Sequence, residues 1–559
     1  MPLLEIDGKP VEVPAGLNLI EAARLLNVEI PHYCYHAGLT VVGSCRMCQV
    51  EVEVGGRKSV AIACNTKASD GMKVITKSDV VQKLRRSVLE FYLQHHPLDC
   101  PICDDAGECD LQNYYMEHGL HDSRMALAEK KHKHKVMDVG PSIVLDSERC
   151  VLCTRCVRFC REITGTGELG VFGHGRDEEL LNMPGKRLDN DYAGNVVDVC
   201  PVGALTDKDF RFKRRVWYMK RTASVCTGCS RGCNIFVDWE IDRRYKDPER
   251  RVQRLKPRFN KMVNEWWMCD QGRYSYHTVD APDRLTAPKT SAQSNGHAPS
   301  TEEVCTRIAA RLESIIEKQG AGSIAVMASA ASSNEDLFML NKLFVEKLKV
   351  QNIDVNFEFE KKGADDELLK RADLTPNRRG SLELKIKPWG GDGQSGDDML
   401  AAAIEGEFDA LIVIRHDLSE SLSERELSKL RKNTDYIVYL SSHENGFSEI
   451  ADDVLPIAMW AEREATYTNF QGRVQKTAKP FDPRGMALPE WEIWQLLGSH
   501  MGLKSEYTSA KQLFDAIGEK FEGFKGVTWD SLGPTGKMLA GTPEPPYKRV
   551  QTSKPLSAY

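Results

Sequence analysis

The 559-residue chain contains no apolar run approaching the roughly 18 residues that a membrane-spanning helix needs. Its start, Met1-Pro2-Leu3-Leu4-Glu5, lacks the basic region and apolar stretch of a secretory signal. The chain is therefore expected neither to cross a membrane nor to be exported. It also lacks a charge excess of either sign: 75 Lys and Arg stand against 81 Asp and Glu, a net charge of -6, which excludes the basic signature of a nucleic-acid binder and the acidic signature of a disordered tail. Cysteine is nearly missing from the second half, where Cys305 is alone beyond Cys269. The other 16 of the 17 cysteines lie at or before Cys269. Without an export signal, repeated C-x2-C spacing points to metal ligation in a reducing compartment rather than to disulfides.

At 41% hydrophobic and 28% charged residues, a chain of this length should hold about three to five domains. Residues 3 to 13 alternate apolar and polar around Asp7-Gly8, which predicts a β-hairpin. Leu19, Ile20, Ala23 and Leu26 recur at helical spacing, and two strands, Gln49 to Val54 and Lys58 to Ala63, flank Gly55-Gly56. Residues 80 to 96 place Val81, Leu84, Val88 and Phe91 on one helical stripe that runs into His95-His96. Residues 138 to 215 are Gly-rich and organised around cysteines. Residues 279 to 300 are rich in Pro, Ser and Ala, as linkers are. Beyond them, helix patterns at Thr301 to Ile316, Asn334 to Leu348 and Glu420 to Lys432 alternate with apolar runs at Ser323 to Met327, Ala410 to Ile414 and Tyr436 to Leu440. That alternation predicts a layered α/β domain.

The cysteines fall into four groups. Cys34, Cys45, Cys48 and Cys64 have gaps of ten, two and fifteen residues. Four thiolates suit a [2Fe-2S] cluster, in which each tetrahedral iron takes two protein sulfurs; a four-cysteine zinc site is the alternative. The second group is His96, Cys100, Cys103 and Cys109, with His95 a competitor for the imidazole position. Three thiolates and one imidazole suit either a [4Fe-4S] cluster or structural zinc. The third is Cys150-x2-Cys153-x2-Cys156-x3-Cys160 with Cys200-Pro201 downstream. In the bacterial ferredoxin run the cysteine before Pro completes a cluster, so Cys150, Cys153, Cys156 and Cys200 are assigned to one [4Fe-4S] cluster. Cys160, followed by Arg161, is left as a buried thiol. The fourth is Cys226-x2-Cys229-x3-Cys233 with Cys269 after thirty-five residues, a gap in which Arg243 to Lys261 reads as a possible insertion. Fifteen cysteines and one histidine then fill four sets of four, leaving Cys160 and Cys305.

Three other features carry less. Gly165-x-Gly167-x-x-Gly170 matches a dinucleotide fingerprint but has no apolar strand ahead of it, and reads as a turn. Lys130 to Lys135 (KKHKHK) reads as a solvated surface segment. Residues 207 to 221 mix basic and aromatic residues and read as a face packed on a partner subunit.

In order, the motifs C-x10-C-x2-C, H-x3-C-x2-C-x5-C, C-x2-C-x2-C…C-P and C-x2-C-x3-C…C resemble the large iron-sulfur subunit, the 75-kilodalton family, of NADH-quinone oxidoreductase (respiratory complex I). The resemblance covers residues 1 to about 275. It selects His96 over His95, and it assigns Cys226, Cys229, Cys233 and Cys269 to a further [4Fe-4S] cluster found in some bacterial members. The C-terminal half resembles a reduced molybdopterin oxidoreductase domain through Asp283-Arg284-Leu285-Thr286, Ser333-Asn334-Glu335, Ala451 to Pro456 and Glu462 to Gln475, with Ala465 where that family usually has Gly.

The implied fold is multidomain, α/β and α+β. It comprises a β-grasp [2Fe-2S] ferredoxin-like domain (1–78), a His/Cys-ligated [4Fe-4S] domain (79–137), a [4Fe-4S] ferredoxin-like domain (138–218), a molybdopterin-oxidoreductase-type [4Fe-4S] module (219–278) and a degenerate α/β domain (279–559). The implied activity is one-electron relay with no substrate-converting site, from an FMN- and NADH-binding subunit and its 2Fe-2S partner toward quinone-side subunits of the peripheral arm. One [2Fe-2S] and two or three [4Fe-4S] clusters and no molybdenum are expected, with no nucleic acid. Membrane contact would come only through the complex, on the cytoplasmic side of the plasma membrane. A molybdenum-dependent, NAD-linked formate dehydrogenase subunit is the alternative.

Overall fold

The computed structural model describes residues 1–120, 122–241, 250–291, 299–386 and 395–552. Its contacts divide into two compact units, Met1–Lys220 with Val550–Tyr559, and Arg221–Arg549. Among the described residues no helix is long and apolar enough to cross a membrane.

In the first unit, β1 (Leu3–Ile6) and β2 (Lys9–Glu12) form the expected hairpin, with Asp7 and Gly8 both at positive φ as its turn requires. Helix α1 (Leu19–Arg24) is capped by the Asn18 side chain, which accepts from Glu21 N at 3.0 Å. Strands β3 (Gln49–Val54) and β4 (Arg57–Ile62) pair antiparallel, and β5 (Lys73–Ile75) inserts between β1 and β3 to give the order β2-β1-β5-β3-β4. The β1–β5 pairing is parallel and the rest antiparallel, a β-grasp arrangement wrapped on α1.

Helix α2 (Asp79–His95) starts at Ser78, whose hydroxyl accepts from Val81 N at 3.3 Å. Its buried face is Val81, Arg85 and Leu89: of the stripe the spacing predicts, Val81 is buried, Leu84 and Val88 are half-buried and Phe91 is 77% exposed. Arg85 explains the difference: its buried guanidinium donates to the Gln49 carbonyl at 3.2 Å, so a charged residue holds the inner position.

Helix α3 (Asp110–His118) follows, and the remainder is short: β6 (Met137–Asp138), β7 (Ile143–Leu145), α4 (Arg155–Arg158), β8 (Leu169–Phe172), β9 (Glu179–Asn182), α5 (Asn195–Val199) and β10 (Leu205–Asp207). Strands β10-β7-β6 form one small sheet and β8-β9 another. The Gly165 to Gly170 match lies on the turn between a π-helical segment, Phe159–Ile163, and β8, with Gly165 and Gly167 at positive φ. It is not a strand-to-helix loop.

The second unit opens with a three-stranded sheet of β11 (Lys220–Val225), β12 (Asn234–Trp239) and β13 (Val252–Pro257), followed by α6 (Asp270–Arg273). The stretch from 279 is no free linker where it is described. Arg284 and Leu285 are buried, and β14 (Lys289–Thr290) joins the main sheet antiparallel to the strand Asp453–Pro456. Residues 292–298 of that stretch lie outside the described residues.

The main domain alternates α7 (Thr301–Gln319), β15 (Ile324–Met327), α8 (Asn334–Leu340), β16 (Asn352–Asp354), α9 (Arg378–Glu383), α10 (Gly396–Glu405), β17 (Ala410–Ile414), α11 (Glu424–Asn433), β18 (Tyr436–Ser441) and β19 (Asp453–Pro456). The sheet order is β14-β19-β18-β17-β15-β16, and the strands from β15 to β19 are parallel. Both faces are covered: Ile324, Val326 and Ile412 enter one core, Ala325, Met327 and Leu411 the other. Continuous apolar runs follow from that double burial. A second antiparallel sheet of β20 (Ala465–Thr468) and β21 (Arg473–Thr477), the helices α12 (Glu490–His500) and α13 (Ala510–Lys520), and β22 (Lys537–Met538) complete the unit.

Candidate iron-sulfur sites

Cys34, Cys45 and Cys48 lie on the long loop between α1 and β3, and Cys64 follows β4; all four are buried. The thiols form two hydrogen-bonded pairs, Cys34 with Cys45 and Cys48 with Cys64. The bond from Cys45 pulls Cys34 down to about 5, and the bond from Cys48 likewise lowers Cys64, while donating and burial push Cys45 and Cys48 up. Each iron of a [2Fe-2S] cluster takes two thiolates, and the pairs Cys34–Cys45 and Cys48–Cys64 are compatible with that division. Among the described residues no group of three or more His, Cys, Asp or Glu is gathered tightly enough to hold a single metal ion. Arg46 takes a left-handed φ of 57° between Cys45 and Cys48, and Tyr33 N points at Cys45 Sγ from 3.5 Å.

The second group hangs from the end of α2. His96 is the helix C-cap, Cys100 opens a short turn and Cys109 caps α3. Cys103 feels the charge of Cys100, and Cys109 that of Cys103. Burial, helped by Lys130 and Arg149, pushes His96 down to about 4, leaving the neutral imidazole that a metal ligand must be. His95 differs: its Nδ1 accepts from Lys131 N at 3.2 Å. Gly203 is part of this site although it lies in the loop after Cys200. A Cβ there would stand 2.3 Å from Cys103 Sγ.

Sequence reading missed the role of the basic run. The segment lies at the surface as expected, with His132, His134 and Lys135 exposed, but it is also a strap: Lys130 Nζ donates to the carbonyls of Leu93 at 2.7 Å and His96 at 2.9 Å, Lys135 pairs with Asp99 and Glu148, and His134 meets Glu179. A cation over the last carbonyls of α2 complements the helix end and fixes the His96 backbone. Part of the 207 to 221 segment also packs within the chain. Arg215 Nη2 donates to the Pro101 carbonyl at 2.8 Å and Nη1 to that of Cys103 at 2.5 Å, while a Cβ on Gly107 would meet Trp217 at 3.0 Å. Phe212 and Trp217 keep large exposed faces.

Cys150, Cys153, Cys156 and Cys200 line one cavity walled by Val171, Leu180, Val202 and Leu205. Leu152 and Thr154 both have left-handed φ, wrapping the loop inward, and Leu152 N lies 3.3 Å from Cys150 Sγ. Burial pushes Cys150 up to about 12 and raises Cys153, Cys156 and Cys200, with mutual repulsion adding to each. Four such thiols ionise together only around a cationic core, which fits a cluster. Cys160 does not line this cavity. It is buried on the π-helical segment beside Glu168.

Cys226, Cys229, Cys233 and Cys269 line a further cavity with Met268, Gly272 and Leu369. The thirty-five-residue gap is spanned largely by the antiparallel β12–β13 pair, whose return brings Cys269 back, and Arg254 on β13 pairs with the buried Asp238 on β12. Arg250 to Lys261 are thus framework rather than insertion; residues 242–249 lie outside the described residues. Gly228 N and Gly272 N point at Cys226 Sγ and Cys269 Sγ from 3.4 and 3.3 Å. Burial raises all four thiols.

The crevice where a doubly wound sheet binds ligands lies beyond the strand ends at the switch point between β15 and β17. Here it holds a buried polar network. Arg415 Nε donates to Glu490 at 2.5 Å, Ser332 to the other Glu490 oxygen at 2.7 Å, Arg463 pairs with Asp336, and Thr466 N and Oγ1 donate to Glu335 at 2.9 and 2.7 Å. Cys305 sits in the core on α7, away from that crevice. No thiol is among these residues of the network.

Family models match four stretches: a 2Fe-2S iron-sulfur cluster binding domain at 3–79, an NADH-ubiquinone oxidoreductase-G iron-sulfur binding region at 85–124, an NADH-quinone oxidoreductase subunit 3 ferredoxin-like domain at 140–206, and molybdopterin oxidoreductase at 391–500. An NADH-quinone oxidoreductase subunit of Rickettsia bellii is 37% identical over 353 residues, 63% of this chain and 49% of its own length. The chain thus matches about half the length of that relative. The mitochondrial 78 kDa subunit of NADH-ubiquinone oxidoreductase from Neurospora crassa is 30% identical over 630 residues, 92% of this chain and 83% of its own. Among solved structures, a chain of an NAD+-reducing [NiFe]-hydrogenase is 30% identical, covering 38% of this chain and 91% of its own with a TM-score of 0.34. With the Neurospora match running over 92% of it, the chain belongs to the 75–78 kDa iron-sulfur subunit family of NADH-quinone oxidoreductases.

Proposed function

We propose that this chain is an electron relay. Fifteen cysteines and His96 hold one [2Fe-2S] cluster on Cys34, Cys45, Cys48 and Cys64, and three [4Fe-4S] clusters on His96, Cys100, Cys103 and Cys109, on Cys150, Cys153, Cys156 and Cys200, and on Cys226, Cys229, Cys233 and Cys269. The observation that carries the reading is the gathering of the third and fourth sets around one cavity each, beside two thiol pairs in the first. The clusters supply reversible one-electron storage; the protein's part is to bury them, aim backbone N–H groups at sulfur and set the local charge. The third set's loops contact those of the first and second. Asp110 N, beside Cys109, donates to the Pro201 carbonyl at 2.9 Å, and Arg158 reaches the Cys34 carbonyl at 2.5 Å.

Electrons would enter from an FMN- and NADH-binding subunit with its 2Fe-2S partner and leave toward quinone through other subunits, at the cytoplasmic face of the plasma membrane. Iron, zinc and molybdenum per chain, measured on anaerobically purified protein, test this. About 14 irons with neither other metal is expected, and stoichiometric zinc would refute the redox role of at least one set. The molybdopterin oxidoreductase match keeps a formate dehydrogenase reading in view, for which stoichiometric molybdenum and formate oxidation would be the outcome.

A further inference from the structure

Two arginines inside the third cysteine run do more than pack. Arg155 and Arg158 stand one turn apart on α4, on either side of Cys156, and both are buried. Arg158 Nη2 donates to the Cys34 carbonyl at 2.5 Å and to the Cys153 carbonyl at 3.1 Å, while its Nη1 donates to the Thr40 carbonyl at 2.6 Å. One guanidinium therefore touches the backbone of a first-set ligand and of a third-set ligand at once. Arg155 repeats the pattern one residue along: Nη2 donates to the Tyr35 carbonyl at 2.6 Å, next to Cys34, and Nη1 to the Val199 carbonyl at 3.1 Å, next to Cys200.

Neither arginine forms an ion pair with a carboxylate among the described residues. Carboxylates act on them only from beyond ion-pair distance, Glu162 on Arg158 and Asp110 on Arg155, and Glu162 accepts from Thr40 N at 2.9 Å. Two buried cations without carboxylate partners are costly unless another negative group faces them. An all-cysteine cluster is such a group, and it becomes more negative on reduction.

We propose that Arg155 and Arg158 are positioning residues shared by the first and third clusters, holding their ligand loops together and raising both reduction potentials in concert. The inference rests on the cluster assignments above. It differs from them in locating a control element outside the ligand sets, one whose direct hydrogen bonds bridge the loops of two clusters.

The test uses the full chain in its assembled complex, with Arg155→Gln, Arg158→Gln and the matching lysine substitutions, scored by iron content and EPR-monitored redox titration. A parent lacking a [2Fe-2S] signal would defeat the cluster assignments before any variant is read. Given the parent signals, each glutamine variant should lower the reduction equilibrium of both the [2Fe-2S] and third clusters about tenfold, equivalent to about 59 mV for a one-electron couple. The fourth cluster should keep its potential, and lysine should restore most of the shift. Full iron with unmoved potentials in both glutamine variants would overturn the proposal, as would a shift in only one cluster or lysine variants shifted as far as glutamine. Iron taken up in the first and third sets only when residues 155 and 158 are basic, at unaltered potentials, would assign the pair to folding alone and also overturn it.

Discussion

Gly203 offers a steric test of the second site that leaves every proposed ligand in place. A Cβ at this position would lie 2.3 Å from Cys103 Sγ and 2.9 Å from Asp105 Cβ. Ordinary contacts are about 3.5–4.0 Å, so in Gly203→Ala the sulfur must retreat by over 1 Å, and Asp105 blocks one way out. Metal-ligand distances tolerate about 0.2 Å. Cys103 would therefore leave its iron, and the overpacked loop would cost about 1–3 kcal/mol besides. Gly228 is the control: a Cβ there meets Cys226 Sγ at 3.5 Å, an ordinary contact, and neither glycine has a left-handed φ. Iron should fall from about 14 to about 10 per chain in Gly203→Ala, with loss of one [4Fe-4S] EPR signal, and stay near 14 in Gly228→Ala. A Gly203→Ala protein with full iron, or a Gly228→Ala protein equally depleted, would refute the steric argument.

Three further outcomes are expected. Cys160→Ala should keep all its iron, because Cys160 lies outside the third cavity; loss of a [4Fe-4S] signal would make it a ligand. Arg463→Met should lower the stability of the second unit by about 3–5 kcal/mol, since it strands the buried Asp336 carboxylate; thermal unfolding reads this, and a change under about 1 kcal/mol would contradict it. Burial raises Glu335 to about 7 in the folded state against an ordinary 4.5, so its contribution to stability is greatest below pH 4.5 and declines as pH rises through 7. Relative to the parent, Glu335→Gln should gain about 1 kcal/mol between pH 6 and pH 8, and a pH-independent difference in melting would show that Glu335 does not titrate there.

The gathering of the third and fourth cysteine sets around one cavity each was legible because metal ligation constrains residue type and short spacing together. The third cavity takes Cys200, chosen for the proline after it, and leaves out Cys160 only four residues from Cys156. The alternation of strands and helices after Thr301 was equally readable, since each parallel strand is buried on both faces and declares itself as an apolar run. Position along the chain hid the rest. No local pattern says that Gly203 must stay small for Cys103, that Lys130 closes the helix ending at His95, or that a polar stretch near 284 to 290 enters a sheet. The inward face of α2 was misread because Arg85 occupies it, and a hydrophobic count is blind to a guanidinium whose partner is a distant backbone carbonyl.

These missed residues share one property, and it bears on how the sites form. Lys130, Arg155, Arg158 and Arg215 all direct charged donors at backbone carbonyls of cysteine-bearing loops or their neighbours. Carbonyls at a helix end or in an irregular loop have no helix or sheet partner, so they need donors from elsewhere. Supplying them from cations does two things at once. It satisfies the loop before metal arrives, and it offsets the negative charge that four thiolates bring when metal is bound. A loop built this way is cheap to order in the apo state only while its thiols remain protonated, as burial here favours. Cluster insertion must then release protons, and iron uptake should be coupled to pH as well as to folding.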